Sequence, residues 1–306
     1  MTMRVFLFGA GYSARAFARL AVAEGAHVAG TTRSQEKAPL LEAEGIAPFL
    51  FDGSGISAGI AAELREATHL VVSTAPDEAG DPVLRTAGAA IANMPRLRWI
   101  GYLSTVGVYG DHQGRWVDET SDCRPVSRRS KSRLEADEAW LRLGEATGKP
   151  VAILRLSGIY GPGRNAFVNL ENGTARRIVK PGQVFNRIHV EDIAGALRHL
   201  AGAELGGIFN VTDDEPAPPQ DVVALAAALM GVEPPPEVDF DQAEMTPMAR
   251  SFYGESKRVS NARLKASGYA FRFPDHRAAL RHMWEAGDWR GRQDGPAPDR
   301  RSKIRR

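Results

Sequence analysis

The chain has a single cysteine, Cys123, so an internal disulfide is excluded. No apolar run approaches the roughly 20 residues of a membrane helix. The apolar stretch after Arg4 is too short for a signal peptide. These absences lead us to expect a soluble protein of the reducing cytoplasm, with no membrane partner. No histidine stands near Cys123, which therefore reads as an ordinary thiol. Metal-ligand spacing is lacking too, and no metal is expected. No internal repeat or low-complexity linker breaks the chain. Strong charge of one sign is also missing: the formal net charge is +2. That balance hides an asymmetry. Residues 290–306 hold Arg290, Arg292, Arg300, Arg301, Lys303, Arg305 and Arg306 against Asp294 and Asp299. Without them, 32 of the 39 basic and 35 of the 37 acidic residues remain, a mildly acidic body. The tail has Gly and Pro and almost nothing apolar, so we expect it to be disordered. A basic tail can touch nucleic acid, but a solvated terminus is the simpler reading, and no nucleic-acid partner is expected.

What is present is a core. At 306 residues and 43% hydrophobic, the chain can bury one large α/β domain with a smaller lobe. Its organising stretch is residues 3–19. Val5 to Phe8 is a short, wholly apolar run, suited to a strand buried on both faces. Gly9 and Gly11 follow at once, and Ala14, Ala16, Phe17, Leu20 and Ala21 then repeat at helical spacing. Strand, glycine turn and helix in that order make a phosphate site. Gly9 can take angles closed to other residues, and Gly11 lets a ligand approach the main chain. Ala14 is small enough for the helix to press on the strand. The helix start, with Tyr12 and Ser13, offers free N–H groups and a partial positive charge to a pyrophosphate. The pattern G-x-G-x-x-A falls within the dinucleotide fingerprint.

A second strand, His27 to Thr32, ends in Thr-Thr-Arg-Ser. An acidic residue at this end would bind the 2′-hydroxyl of NAD, and there is none. Arg33 stands there, and a guanidinium suits a 2′-phosphate. The expected cofactor is therefore NADP, with NAD possible, and with Ser34 and Lys37 as helpers. The bland alternative is that Arg33 is a surface arginine. A short helix over 34–43 leads to a strand over 48–51. Asp52 follows, either reaching the adenine or capping the next helix. A strand over 70–73 runs into Thr74 and Ala75, which would pass beneath the cofactor. A helix over 82–93 and a strand over 99–104 complete the alternation, which specifies a doubly wound parallel sheet with right-handed crossovers.

From residue 103 the sequence resembles the extended short-chain dehydrogenases/reductases, the NAD(P)-dependent epimerase/dehydratase family. Residues 103–110, Leu-Ser-Thr-Val-Gly-Val-Tyr-Gly, are similar to its strand-five signature. Ser-Lys at 130–131, Leu-Arg-Leu-Ser-Gly-Ile-Tyr-Gly-Pro-Gly at 154–163, Arg-Ile-His-Val-Glu-Asp-Ile-Ala at 187–194 and Gly-Ile-Phe-Asn-Val at 207–211 follow in the family's order. The likeness covers about residues 3–275 and implies a Rossmann domain over 1–163 and 188–215. It also implies a smaller substrate lobe over 164–187 and 216–289, ahead of the tail. A helix over 127–145 carries Leu134, Trp140, Leu141 and Leu143; in relatives it joins a two-fold bundle, which implies a homodimer.

The family's chemistry rests on Tyr-x-x-x-Lys in that helix and a hydroxyl from strand five. The lysine holds the nicotinamide ribose and lowers the phenol's pKa. Lys131 fits the lysine and Thr105 the hydroxyl, but Ser127 stands where the tyrosine belongs. A serine is too short and its ionised form too basic, so Ser127 is not expected to be the acid or base. Losing such a group typically costs about 10²- to 10⁴-fold in rate. Tyr109, Tyr160 and His189 are the replacements to weigh. Tyr109 also reads as packing, and His189 as a hydrogen bond to the backbone at its helix start. In relatives that handle sugar nucleotides, basic and asparagine residues of the lobe hold the diphosphate. Asn165 and Arg187 are the matching candidates here, alongside Arg176, Arg177 and Lys180. Two readings follow: an atypical NADP-dependent oxidoreductase or isomerase acting on a sugar nucleotide or small carbonyl compound, or a non-catalytic NADP(H)-binding sensor or scaffold. Both need the glycines, Arg33 and Lys131; only a proton donor separates them.

Overall fold

The protein is seen here as a computed structural model that describes residues 3–291; the remainder of the basic tail, 292–306, lies outside the described residues. The first half runs β1 (Arg4–Phe8), α1 (Tyr12–Ala23), β2 (His27–Thr32), α2 (Ala38–Ala43), β3 (Ile46–Leu50), α3 (Ala58–Glu66), β4 (His69–Val72), α4 (Pro82–Ala92), β5 (Trp99–Thr105) and β6 (Trp116–Val117). Then come α5 (Arg128–Thr147), β7 (Val151–Leu156), β8 (Gly158–Tyr160), α6 (Ala166–Glu171), β9 (Arg177–Val179), β10 (Arg187–His189), α7 (Val190–Gly202) and β11 (Gly207–Val211). The chain continues through α8 (Pro219–Met230), β12 (Glu237–Asp239), α9 (Pro247–Phe252), β13 (Arg258–Val259), α10 (Ala262–Ala266) and α11 (His276–Ala286).

Seven strands form one sheet in the order β11-β7-β5-β4-β1-β2-β3, and every neighbouring pair is parallel. The doubly wound parallel sheet read from the sequence is therefore the fold. Its strands are apolar on both faces because helices cover both. Val5 and Leu7 of β1 face α1 and α7, joining Phe17 and Leu197 in one core. Phe6 and Phe8 face the other way and pack with Ile60, Val83 and Trp140. Strand order reverses between β1 and β4, which opens a crevice at their carboxyl ends.

Two helices refine the sequence reading. α3 is the helix expected after Asp52 without bounds; its nine residues carry only Ile60 and Leu64 as large buried side chains. Ser57 starts it by accepting from the Ile60 amide at 3.2 Å. α5 begins one residue later than expected, because Ser127 is its N-cap: the hydroxyl accepts from the Ser130 amide at 3.0 Å. Gly148, left-handed, ends it. Trp140 turns fully inward, donates to Asp81 Oδ2 at 3.1 Å and stacks on Tyr102. Glu135, Glu138, Arg142 and Glu145 make the exposed face.

The segment after α10 is held to α7 by buried polar groups. Asp192 of the His-Val-Glu-Asp turn accepts from the Tyr269 hydroxyl (2.8 Å) and from the amides of Arg272 (2.7 Å) and Phe273 (3.0 Å). Arg290 and Gly291, the first residues of the tail, are packed. Arg290 lies 3.9 Å from the Trp289 ring centroid and pairs with Glu171. Among the described residues no helix is long and apolar enough to cross a membrane, and no group of three or more His, Cys, Asp or Glu could hold a metal.

Candidate cofactor and substrate site

The glycine turn is built to leave donors free. Gly9 sits at φ +86°, and a Cβ there would lie 3.0 Å from the Thr74 hydroxyl and 3.1 Å from its amide. Only glycine fits between β1 and the end of β4. The Gly9 amide donates to Thr31 Oγ1, the Ala10 amide to the Thr31 carbonyl and the Gly11 amide to the Gly9 carbonyl, each at 2.8 Å. The first intrahelical bond is Arg15 amide to Gly11 carbonyl. The amides of Tyr12, Ser13 and Ala14 before it are the orphan donors that every helix start carries. Gly11 caps α1 with no side chain, no acidic residue stands in the first turn, and a Cβ on Gly11 would meet nothing within 4 Å. Ser13 and Ala14 are themselves buried against the sheet.

At the far end of β2, Arg33 is exposed, and no ion pair among the described residues holds it. Ser34 beside it is tied back, its amide donating to Thr32 Oγ1. Asp52 does not cap α3. Its Oδ1 accepts from the Ser54 amide (2.9 Å) and hydroxyl (2.6 Å), which holds this exposed carboxyl below its usual range. Thr74 lies under Gly9, and Ala75 is exposed just beyond.

The strand-five motif and α5 meet at Gly107. A Cβ there would lie 3.0 Å from Ser130 Oγ and 3.3 Å from Thr105 Oγ1, so the two hydroxyls flank one glycine. Thr105 Oγ1 accepts from the Gly107 amide at 3.1 Å. Lys131 is exposed in the first turn of α5, and its amide donates to the Ser127 carbonyl. Ser127 is spent: its oxygen accepts from one amide and donates to Ser130 Oγ at 2.9 Å.

The tyrosines elsewhere differ from the family's pattern in their surroundings. The protein has six, and burial is the first cause raising the phenol pKa of each. Tyr12 is pushed up to about 12, while Tyr102, Tyr109, Tyr160, Tyr253 and Tyr269 are all raised. Tyr109 is fully buried under the Arg155 guanidinium and donates to Asn210 Oδ1 at 2.8 Å. Tyr160 has its hydroxyl buried without a hydrogen-bond partner among the described residues. His189 is the N-cap of α7, its Nδ1 accepting from the Glu191 amide at 3.3 Å. Burial and the nearby Arg272 lower its pKa to about 3, so it stays neutral.

Between α6, α8 and α11 lies a cavity of about 400 Å³, bordered by Tyr160, Arg164, Asn165, Arg187 and His276, a size ordinary for small-molecule sites. Asn165 is occupied as the cap of α6. Its Oδ1 accepts from Val168, and its Nδ2 donates to the Gly161 and Trp289 carbonyls. Arg187 donates to the carbonyls of Phe185 (2.9 Å) and Ala217 (3.0 Å). Beneath it Asp213, 1% exposed, has Oδ2 unpartnered; burial raises its pKa to about 8 against the partial offset of its hydrogen bond and Arg187. Arg176, Arg177 and Lys180 are committed to backbone carbonyls or to Glu237. Sequence reasoning passed over Asp213 and His276, because an acid after a strand and a histidine starting a helix look like ordinary turn chemistry.

Known proteins carry the same architecture. The sequence model of the NAD-dependent epimerase/dehydratase family matches residues 5–212, and a domain of unknown function matches residues 245–283. Protein YeeZ of Escherichia coli K12 is 31% identical over 251 residues, 76% of this chain and 85% of YeeZ. A functionally unknown conserved protein from Silicibacter pomeroyi superposes with a TM-score of 0.85 at 45% identity, covering 94% of this chain and all of that one. The structure of a putative NAD-dependent epimerase/dehydratase from Methylobacillus flagellatus matches with a TM-score of 0.71 at 27% identity, over 94% of this chain and 99% of its own.

Proposed function

The chain belongs to the NAD-dependent epimerase/dehydratase family, and from that premise we propose that it binds NADP(H) and acts on a small carbonyl compound or sugar nucleotide as an atypical oxidoreductase or isomerase. The observation that carries this reading is the pair of unspent features at either end of the adenosine path. One is the uncapped start of α1 at Gly11; the other is Arg33 at the end of β2, exposed and without an ion pair among the described residues. The first suits a pyrophosphate, the second a 2′-phosphate. Bound NADP(H) would supply hydride exchange at a carbonyl carbon. Lys131 would hold the nicotinamide ribose with its ammonium, and Thr105 would hydrogen-bond the reacting oxygen. The substrate's distal part would enter the cavity beside Arg187. A homodimer through α5 belongs to the same reading, although Trp140 faces inward; sedimentation checks it.

A second reading, a protein that holds NADP(H) without turnover, is favoured by one specific finding. Ser127 is consumed as a helix cap, and burial raises all six phenols, so neither Ser127 nor a phenol among the described residues carries the lowered pKa that the family's tyrosine needs. Turnover across a panel of carbonyl compounds and sugar nucleotides decides between the two. Activity that disappears in Lys131→Met supports the enzyme. Tight NADPH binding with no turnover on any member supports the holding protein.

A further inference from the structure

Arg164 belongs to the turn that leaves β8 for α6, far in sequence from the glycine turn, yet the fold sets the two side by side. The Tyr12 hydroxyl, from the first residue of α1, donates to the Pro162 carbonyl at 3.0 Å. The turn it grips is closed in both directions: Gly161 amide to Arg164 carbonyl at 3.0 Å, and Arg164 amide to Gly161 carbonyl at 2.9 Å. A Cβ on Gly161, at φ +154°, would lie 2.7 Å from the Tyr12 hydroxyl, so the approach is as close as glycine allows. From behind, the Trp289 carbonyl accepts from the Gly163 amide (2.8 Å) and from Asn165 Nδ2 (2.7 Å). The turn is thus fixed on the start of α1 from both sides.

On that turn the Arg164 guanidinium stands over the Tyr12 ring, 5.9 Å from its centroid. Arg187, across the cavity, is committed to backbone carbonyls, and four other cations are committed to carboxylates. Arg15 and Arg19 share Glu44, Arg272 pairs with Glu191 and Arg290 with Glu171. Arg164 is exposed and has no carboxylate partner among the described residues. Tyr12 is the first residue of the uncapped helix, so the guanidinium over its ring belongs to the same helix start as the three orphan amides. Its planar fork matches a phosphate oxygen pair.

We propose that Arg164 is a phosphate ligand of the dinucleotide, reaching from the lobe turn to close the pyrophosphate against the amides of α1. The proposal rests on the reading that a dinucleotide binds at α1. It adds that the second lobe contributes to cofactor affinity through one side chain. Arg164 also borders the lobe cavity, so the alternative source of a phosphate is a substrate diphosphate, and the test separates the two.

Calorimetric titrations would use the full chain, as wild type, Arg164→Ala and Arg164→Lys. The probes are NADPH, 2′-phospho-ADP-ribose, adenosine 2′-monophosphate and UDP. Arg164→Ala is expected to weaken NADPH and 2′-phospho-ADP-ribose about tenfold or more, the weight of a charge-assisted hydrogen bond. Arg164→Lys should recover part of this. Adenosine 2′-monophosphate, which lacks the pyrophosphate, should bind all three proteins alike. The proposal is overturned if Arg164→Ala binds NADPH within twofold of wild type, or loses UDP instead, or loses adenosine 2′-monophosphate equally. Wild type that binds none of the adenine nucleotides overturns the dinucleotide reading itself, a result distinct from the others.

Discussion

The Ser127 hydroxyl and the Ser130 amide are 3.0 Å apart, and this bond starts α5. The position from which relatives present a phenol is here the last residue before the helix, with extended backbone angles (φ −79°, ψ 149°). A side chain four residues before Lys131 therefore does not share a helical face with it.

Ser127→Ala should cost about 1 kcal/mol of stability, as N-cap removal does, and leave NADPH affinity unchanged. Ser127→Tyr should lose the same cap and gain no turnover. Urea denaturation and a carbonyl-reduction assay check both, and a burst of activity in Ser127→Tyr would contradict the assignment of this residue as a cap.

Arg33→Ala should weaken NADPH about tenfold or more, the value of a charge-assisted hydrogen bond to phosphate, and leave NADH binding as it was. Equal affinities of wild type and variant for NADPH would show that the 2′-phosphate is not read at β2.

Asp213 makes stability fall with pH. Its folded pKa, about 8, lies above the ordinary carboxyl value of 3.8. The folded state thus holds the extra proton between those limits, and stability declines as pH rises through that window. Asp213→Asn removes this part of the slope. The variant should gain on wild type between pH 5 and pH 8 in urea midpoints; parallel pH profiles would refute the burial of a protonated carboxyl.

Asp192→Ala should be among the most destabilising substitutions. It strands the Arg272 and Phe273 amides, which bond a carboxylate 0% exposed, while the Tyr269 hydroxyl keeps the Asp192 carbonyl, at about 1–3 kcal/mol for each unsatisfied buried group. The expected sign is a large fall in the unfolding midpoint, and a neutral result would mean that residues 269–273 are held by other contacts.

The sheet was legible because its strands are short apolar runs punctuated by turn residues, and β1 with Gly9 and Gly11 announces a phosphate turn through spacing alone. The bounds of α3 were not, since Ile60 and Leu64 give too sparse a stripe to mark where the helix after Asp52 starts and ends. The assignment of Asp52 as adenine contact or cap was open in sequence; Ser57 takes the cap, and Ser54 takes one of its oxygens. Whether Tyr109, Tyr160 or His189 could act depended on burial and partners, which residue spacing does not encode. The tether from Tyr12 to Pro162 joins positions 150 residues apart, and no local pattern reports it.

The central claim is that the open start of α1 and Arg33 together hold NADP(H). Calorimetric titration of the purified protein with NADPH and NADH tests it most directly. The account predicts saturable binding of one NADPH per chain, about tenfold or more tighter than NADH. Absence of binding heat with either nucleotide would contradict it.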